Sequence, residues 1–402
     1  MADIVVVGAG PVGLTAALAV RAAGRAVTVV EAGAADRVRP GSRAIFLHKA
    51  TLQVLERIHP GLGRELARHG LGWNTKRTLY RGREVYRRTY PPPPPGVMPA
   101  ATSLPQVVTE QILLEACTKA GVTFAWNAEI TSASRGSDGV RLDVADGRHV
   151  LASYVIAADG SRSVVRESMG LHLQGPRTSN AYVIVDIAED PADPLPLERV
   201  FHYEHPAVDF RNVLFVPFAA HWRVDLQCHP DDNPDDFGSA TGVREWLVKV
   251  MPPKYADRVT WVSTYIFRQA IATAFTDTNR RILLAGEAGH VFAPFGARGL
   301  NSGVADAYVA AGAIAAALTA PSPAAADALV ADAAESRLAA AARNRAASSQ
   351  ALRHLQASSP REQLARRVAA RLAPVSPALG KWLDTAPFGP ALGPPDRYGM
   401  QY

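Results

Sequence analysis

Ile4–Val7 is an unbroken run of β-branched residues, the pattern of a strand buried on both faces, and it runs directly into the glycine turn GAGPVG. Apolar positions then recur at helical spacing over Gly13–Ala23, and a second apolar run, Ala26–Glu31, predicts another strand. Strand, turn, helix and strand form a βαβ unit. Helical spacing returns at Ala50–Ile58 and Thr109–Ala120. Residues 78–90 alternate around Gly82 as a hairpin, and Pro91–Pro95 closes it as a stiff polyproline surface loop. Short strands are predicted at Thr123–Trp126, Val140–Val144 and Tyr154–Ala158.

The pattern changes from about residue 180 to residue 267. AYVIVDI, RVFHYE, NVLFVPF, WRVDLQC and RVTWVSTYIF are strand-like runs separated by Pro/Asp/Asn-rich loops, which predicts an inserted antiparallel sheet. After Arg280 the buried-strand pattern returns in RILLAGEA. A glycine-rich loop and a helix near Ser302 follow. Ala/Arg-rich helices are expected over Ala324–Gln356 and Arg361–Leu372, then a Pro/Gly-rich tail. The fold class expected is α/β: a Rossmann-like dinucleotide-binding domain, an inserted antiparallel β-sheet substrate domain, and C-terminal helices. The division is 1–76, 98–178 and 269–330 for the first, 77–97 and 179–268 for the second, and 331–402 for the helical segment.

With 402 residues, 48% hydrophobic and 20% charged, the chain has the composition of a soluble globular enzyme. The net charge of +6 comes from arginines spread along the chain, and no nucleic-acid-reading motif is present. A partly basic cleft for a phosphate-rich cofactor fits better than nucleic-acid binding. Cys117 and Cys228 support neither a metal site nor a disulfide framework, and they point to a reducing cytoplasm. No signal segment or membrane span is expected; the Ala-rich stretch from Gly303 to Ala320 contains Asp306 and reads as a packed helix.

Three segments carry chemistry. Gly8, Gly10 and Gly13 form GxGxxG, with Pro11 opening the helix and Glu31 ending the second strand, eighteen residues after Gly13. The first glycine permits the turn, the second lets backbone approach a pyrophosphate, and the third lets helix pack on strand. A carboxylate at Glu31 accepts ribose hydroxyls and repels a 2′-phosphate, which suits FAD or NAD rather than NADP. The second segment, VIAADGSRSVVRESMG, carries Asp159 and Gly160 into a turn, with Ser163 and Arg166 at a helix start; alone it could be a capped helix. The third runs from Gly286 and Glu287 through Pro294, Gly296, Arg298, Gly299, Leu300 and Asn301. Its glycines would let backbone lie against a planar ring, with a helix N-terminus to stabilise negative charge on it.

These segments, in this order, resemble the class A flavoprotein monooxygenases, the group that includes p-hydroxybenzoate hydroxylase and polyketide aromatic hydroxylases. The likeness covers about residues 1–350. It implies one FAD, reduced by transiently bound NADPH or NADH, in a monomer or homodimer acting on a small aromatic substrate and O2. It likens the second segment to the family's DG motif and the third to its GD motif, whose acid holds the ribityl chain. By position, Arg43 resembles an arginine beside the FAD and reductant path, and Gln106 a glutamine contacting the cofactor. Pro294 would lie near the flavin ring. Glu287 departs from the usual Asp. Arg298 stands where many relatives carry Gln, where it could add charge near the flavin, meet an anionic substrate, or form a surface ion pair. No thioredoxin-like C-terminal domain is evident.

The resemblance implies hydroxylation of a phenolic or polycyclic aromatic compound through a C4a-hydroperoxyflavin. Epoxidation, Baeyer–Villiger insertion, or a non-catalytic FAD protein that binds aromatic compounds stay open. His290 is expected to be structural rather than a proton relay. Phe201, Tyr203, Phe215, Trp222, Arg223, Tyr265 and Phe267 are candidates for the pocket wall, each more readily core than substrate contact.

Overall fold

The computed structural model describes residues 2–37, 39–135, 139–390, 398 and 400. Two seven-stranded sheets organise it. In the first, strands Thr123–Ala125, Thr28–Val30, Ala2–Val7 and His149–Ala157 lie side by side in parallel. The last of these is long enough to do two jobs. Its first half pairs antiparallel with Val140–Val144, and its second half pairs parallel with Ile282–Leu284. Ile4, Val5 and Val6 are fully buried, as an unbroken β-branched run requires when helices cover the sheet.

Helix Pro11–Ala22 packs on this sheet and against helix Arg298–Ala317. The contact is close because the second helix is lined with small residues. A Cβ on Gly303 would lie 2.5 Å from the Val12 side chain, so alanine there would push the helices apart.

The second sheet has the strand order Val259–Arg268, Arg177–Ala188, His221–Gln227, Arg211–Phe218, Glu198–His205, Thr75–Tyr80 and Arg83–Thr89. The expectation of a purely antiparallel sheet needs one correction. Glu198–His205 pairs parallel with Thr75–Tyr80, because the early hairpin enters from the other domain and joins the sheet edge. Alternation assigns the two faces. Val183, Val185, Trp222 and Val224 pack with Trp246 and Leu247 on one side. Phe201, Tyr203 and Phe267 turn to the other, where they meet Phe295 and the C-terminal helices at Leu352, Leu355 and Leu383.

Helix Pro323–Gln356 runs unbroken across residues 330 and 331, so the chain has no break at that expected boundary. A capping box at Ser359 and Glu362 starts the next helix, Pro360–Leu372. A further helix, Pro377–Thr385, occupies what the composition marked as tail. The rest of that tail, 391–397, 399, 401 and 402, lies outside the described residues. No helix of the described residues is long and apolar enough to cross a membrane.

Candidate active site

Strand register brings the three motifs to one edge. Val7 lies beside both Val30 and Ala157, and Ala157 lies beside Leu284. The next residues, Gly8, Glu31, Ala158 and Ala285, therefore share one row at the carboxyl ends of four parallel strands. Backbone bonds continue the ladder through it, from Gly8 N–H to Val30, Ala158 N–H to Val7 and Ala285 N–H to Ala157. Open α/β sheets bind ligands in the crevice outside such an edge.

Two of the glycines are demanded by packing. Gly8 has φ of +99°, and a Cβ there would fall 2.5 Å from the Ala158 carbonyl oxygen. A Cβ on Gly13 would fall 1.9 Å from the Gly8 carbonyl oxygen. Gly10 differs: the nearest atom to a Cβ there would be Arg39 Nη1, at 3.5 Å. Its open flank faces a guanidinium, and the helix beginning at Pro11 leaves its first N–H groups without a side-chain cap.

Glu31 is held rigidly. Oε2 accepts the Ala9 N–H at 2.6 Å and Oε1 the Gly33 N–H at 3.0 Å, with Arg37 and Arg39 at 3.7 and 3.8 Å. Arg37 also donates to the Ala9 carbonyl and lies over the Trp126 ring. Arg39 pairs with Glu110 at 3.3 Å, and Gln106 donates to the same carboxylate at 2.8 Å. Arg37, Arg39 and Glu110 were missed in the sequence, where nothing separates them from other surface charges.

Asp159 Oδ2 accepts the Val165 N–H, while Oδ1 is buried with no hydrogen-bond partner among the described residues. Burial raises the Asp159 carboxyl, and its hydrogen bonds counter that. Ser163 caps the short helix, as its alternative reading had it. Arg166, also buried, donates to Ser161 and Ala288, so it ties the second motif to the third. Gly160 opens onto empty space.

In the third motif the Gly286 N–H donates to Asp306, as does Arg337 at 2.6 Å, and His290 Nε2 lies 2.6 Å from the same carboxylate. Burial opposes the charge on Asp306, but Arg337 and His290 outweigh it and hold the carboxyl below its usual range. His290 is thereby a loop anchor, as expected. Glu287, two residues past Ala285, is exposed. Protein on its flanks pushes its carboxyl up, against the pull of His290 and Arg43. Pro294 is exposed, Leu300 is half-buried, and Gly299 has open space where a side chain would be. Asn301 accepts the His48 N–H and the Thr51 hydroxyl and donates to Phe46 and Ala297, fixing the helix start against the N-terminal segment.

Arg298 corrects an expectation. It is buried and donates to Asn344 Oδ1 and to the Phe388 and Pro390 carbonyls, with no carboxylate partner among the described residues. A surface ion pair is excluded by that burial; the side chain ties the loop to the C-terminal segment. Arg43 is exposed with φ of +51°, and its carbonyl accepts the Arg223 guanidinium. Tyr265 is 44% exposed and lies within electrostatic reach of Glu287, Arg43 and Arg223. Of the other candidate wall residues, Phe201, Tyr203 and Phe267 are core, and Phe215 and Trp222 lie on the far face.

Comparison with known proteins places these observations in a family. A family model described as an FAD binding domain matches residues 1–348. The chain is 33% identical over 317 residues to 6-methylpretetramide 4-monooxygenase of Streptomyces rimosus, covering 76% of this chain and 54% of that protein. It is 28% identical over 325 residues to 3-(3-hydroxy-phenyl)propionate/3-hydroxycinnamic acid hydroxylase of Mycobacterium avium strain 104, covering 76% and 53%. The chain thus spans about half the length of the curated relatives it matches. Among solved structures, p-nitrophenol 4-monooxygenase of Pseudomonas putida DLL-E4 superposes with a TM-score of 0.79 at 23% identity, over 96% of this chain and 95% of that one.

Proposed function

The chain belongs to the FAD binding domain family of class A flavoprotein monooxygenases, and from that premise we propose that it hydroxylates a phenolic or polycyclic aromatic compound using NAD(P)H and O2. The observation that carries the reading is the shared row of Gly8, Glu31, Ala158 and Ala285, which makes one crevice from three distant motifs.

The residues present fit FAD. Gly10 leaves room for a pyrophosphate facing Arg39, Gly160 and Gly299 have no atom where a side chain would intrude, and Asp159 Oδ1 is a buried acceptor without a donor. Glu31 would take the adenosine ribose, Asp159 and Glu287 the middle of the cofactor, and the loop from Pro294 to Asn301 the ring. FAD supplies the redox and oxygen-transfer chemistry when bound. Arg39 and the N-terminus of helix Pro11–Ala22 neutralise the phosphates. The first N–H groups of helix Arg298–Ala317 place positive potential at the ring, favouring negative charge there. Pro294 shapes the wall, and Arg43 stands at the lip, where the reductant would dock. Asp306, His290 and Arg337 act from behind by fixing the loop.

We assign residues 1–76, 98–178 and 269–330 to FAD binding and 77–97 and 179–268 to the substrate side. The test is NAD(P)H oxidation and oxygen uptake by the purified yellow protein, with and without phenols and polycyclic phenols. Stimulation of both, with a product heavier by one oxygen atom, is expected. A yellow protein that oxidises no NAD(P)H with any of them overturns the proposal.

A further inference from the structure

One cross-strand row of the second sheet grips three successive residues near the N-terminus. Asp186, on strand Arg177–Ala188, is the register partner of Trp261 on one side and of Arg223 on the other. Directly opposed residues share a face of the sheet, so the three side chains leave it together. They meet Gly41, Ser42 and Arg43 in chain order. Trp261 lies against Gly41, where a Cβ would fall 2.3 Å from the indole ring. Asp186 takes Ser42, and Arg223 donates to the Arg43 carbonyl.

The middle contact carries the grip. Asp186 is buried, and among the described residues its carboxylate accepts hydrogen bonds from Ser42 alone, from the N–H and from the hydroxyl, both at 2.7 Å. A buried carboxylate is costly unless it is well bonded, and bonds to a charged acceptor are the stronger kind. These two span 144 residues of sequence. The Ser42 carbonyl is also engaged, accepting the Gln106 N–H at 2.9 Å. A bulge follows Asp186 directly, where the Thr260 hydroxyl donates to the Asp186 carbonyl at 3.1 Å.

Such a grip answers a need of the backbone. Gly41 has φ of +80°, and Arg43, which is not glycine, has φ of +51°. A left-handed residue with a side chain persists only where its surroundings over-determine it. The row supplies that constraint. The same stretch is anchored in the proposed cofactor site by Arg39, 3.8 Å from Glu31 and four residues before the exposed Arg43.

We propose that Asp186 is a positioning residue: through Ser42 it holds Arg43 in the strained conformation that docks the phosphates of the nicotinamide reductant. The inference rests on the hydroxylase reading above and gives the second sheet a part in reductant binding. Asp186 is occluded behind Ser42 and acts only through the arginine.

The test mixes the FAD-loaded protein anaerobically with increasing NADH or NADPH and follows the loss of flavin absorbance, which separates reductant affinity from the limiting rate. Asp186→Ala should weaken that affinity about tenfold, the worth of one hydrogen bond to a charged group. The limiting rate should stay within about twofold of the parent. Ser42→Ala, which loses one of the two bonds and leaves the sheet intact, should shift affinity the same way by less, and Ser42→Thr should match the parent. Brief trypsin treatment gives a second readout. Arg39 precedes proline and resists cleavage, so the site in this stretch is Arg43. The fragment beginning at Ala44 should form about tenfold faster in Asp186→Ala, with other cleavages unchanged, because proteolysis follows local opening.

Unchanged affinity in the variants, a lowered limiting rate in place of lowered affinity, or unchanged cleavage after Arg43 overturns the proposal. If Asp186→Ala does not fold, Ser42→Ala decides alone. A parent chain that neither reductant reduces overturns the hydroxylase reading and the docking role together. A parent that is reduced, with variants that bind reductant equally well, overturns the role of Asp186 alone.

Discussion

The two sheets build their share of the site by opposite means. The first uses backbone: strand ends in register, glycines where a side chain would collide, and helix N-termini. The second uses side chains projecting from alternate positions, so its chemistry depends on which face each residue takes and on neighbours from other strands. Backbone sites are intolerant of added atoms, whereas side-chain sites tolerate change of shape but not of charge. Three substitutions test the contrast between backbone-built and side-chain-built parts of the site, in descending order of effect.

Gly13→Val acts on the backbone-built side. Its Cβ would overlap the Gly8 carbonyl oxygen, and no flexible side chain can yield there. The cost should exceed about 4 kcal/mol, beyond the ~1–3 kcal/mol of ordinary overpacking, because backbone rather than side chain is overlapped. We expect insoluble protein, or protein purified without flavin, as read from flavin absorbance per chain. Soluble, fully yellow Gly13→Val would break the comparison at its stronger end.

Asp306→Asn tests the tie between loop and C-terminal helix. Removing the charge that Arg337 and His290 face should cost about 3–5 kcal/mol, as when one partner of a buried pair is removed. The sign of the pH dependence follows from the depressed carboxyl. Its stabilising contribution is present above the ordinary carboxylate range and lost as pH falls through the lower folded-state value. Thermal midpoints measured from neutral to acid pH should therefore fall less steeply in Asp306→Asn than in the parent chain. Parallel slopes would remove Asp306 from the account.

Arg298→Met is the mildest. It deletes hydrogen bonds to Asn344, Phe388 and Pro390 while keeping much of the buried side-chain volume. A loss of about 1–3 kcal/mol is expected, with FAD content and substrate-free NAD(P)H oxidation little changed. A large fall in flavin content at unchanged thermal midpoint would return Arg298 to the cofactor site.

Much of the crevice was legible beforehand because its demands are local. Gly8, Gly13 and Glu31 sit at fixed spacings dictated by turn, helix and strand length, and Asp159 and Gly286 each end a recognisable buried strand. His290 could be read as structural from its place in the loop. Arg298 could not be resolved, because its partners Asn344, Phe388 and Pro390 lie 46 to 92 residues away. Arg39 escaped notice because an arginine in a charged loop has no periodicity to mark it. Phe215 and Trp222 were grouped with Phe201 because alternation gives two faces without saying which one is inward.

The amino-acid order alone determined a dinucleotide-binding βαβ unit, the two later motifs, the strand-rich insertion and the helical C-terminal part, since hydrophobic period, glycine turns and strand ends are properties of neighbouring residues. Tertiary structure decided the rest: that Glu31, Asp159 and Glu287 share one edge, that Asp306 holds the loop from behind, and that Asp186 stands between Trp261 and Arg223 to meet Ser42. Those facts are sums over long-range contacts, and the free energy of a charge depends on the neighbours that the fold brings to it.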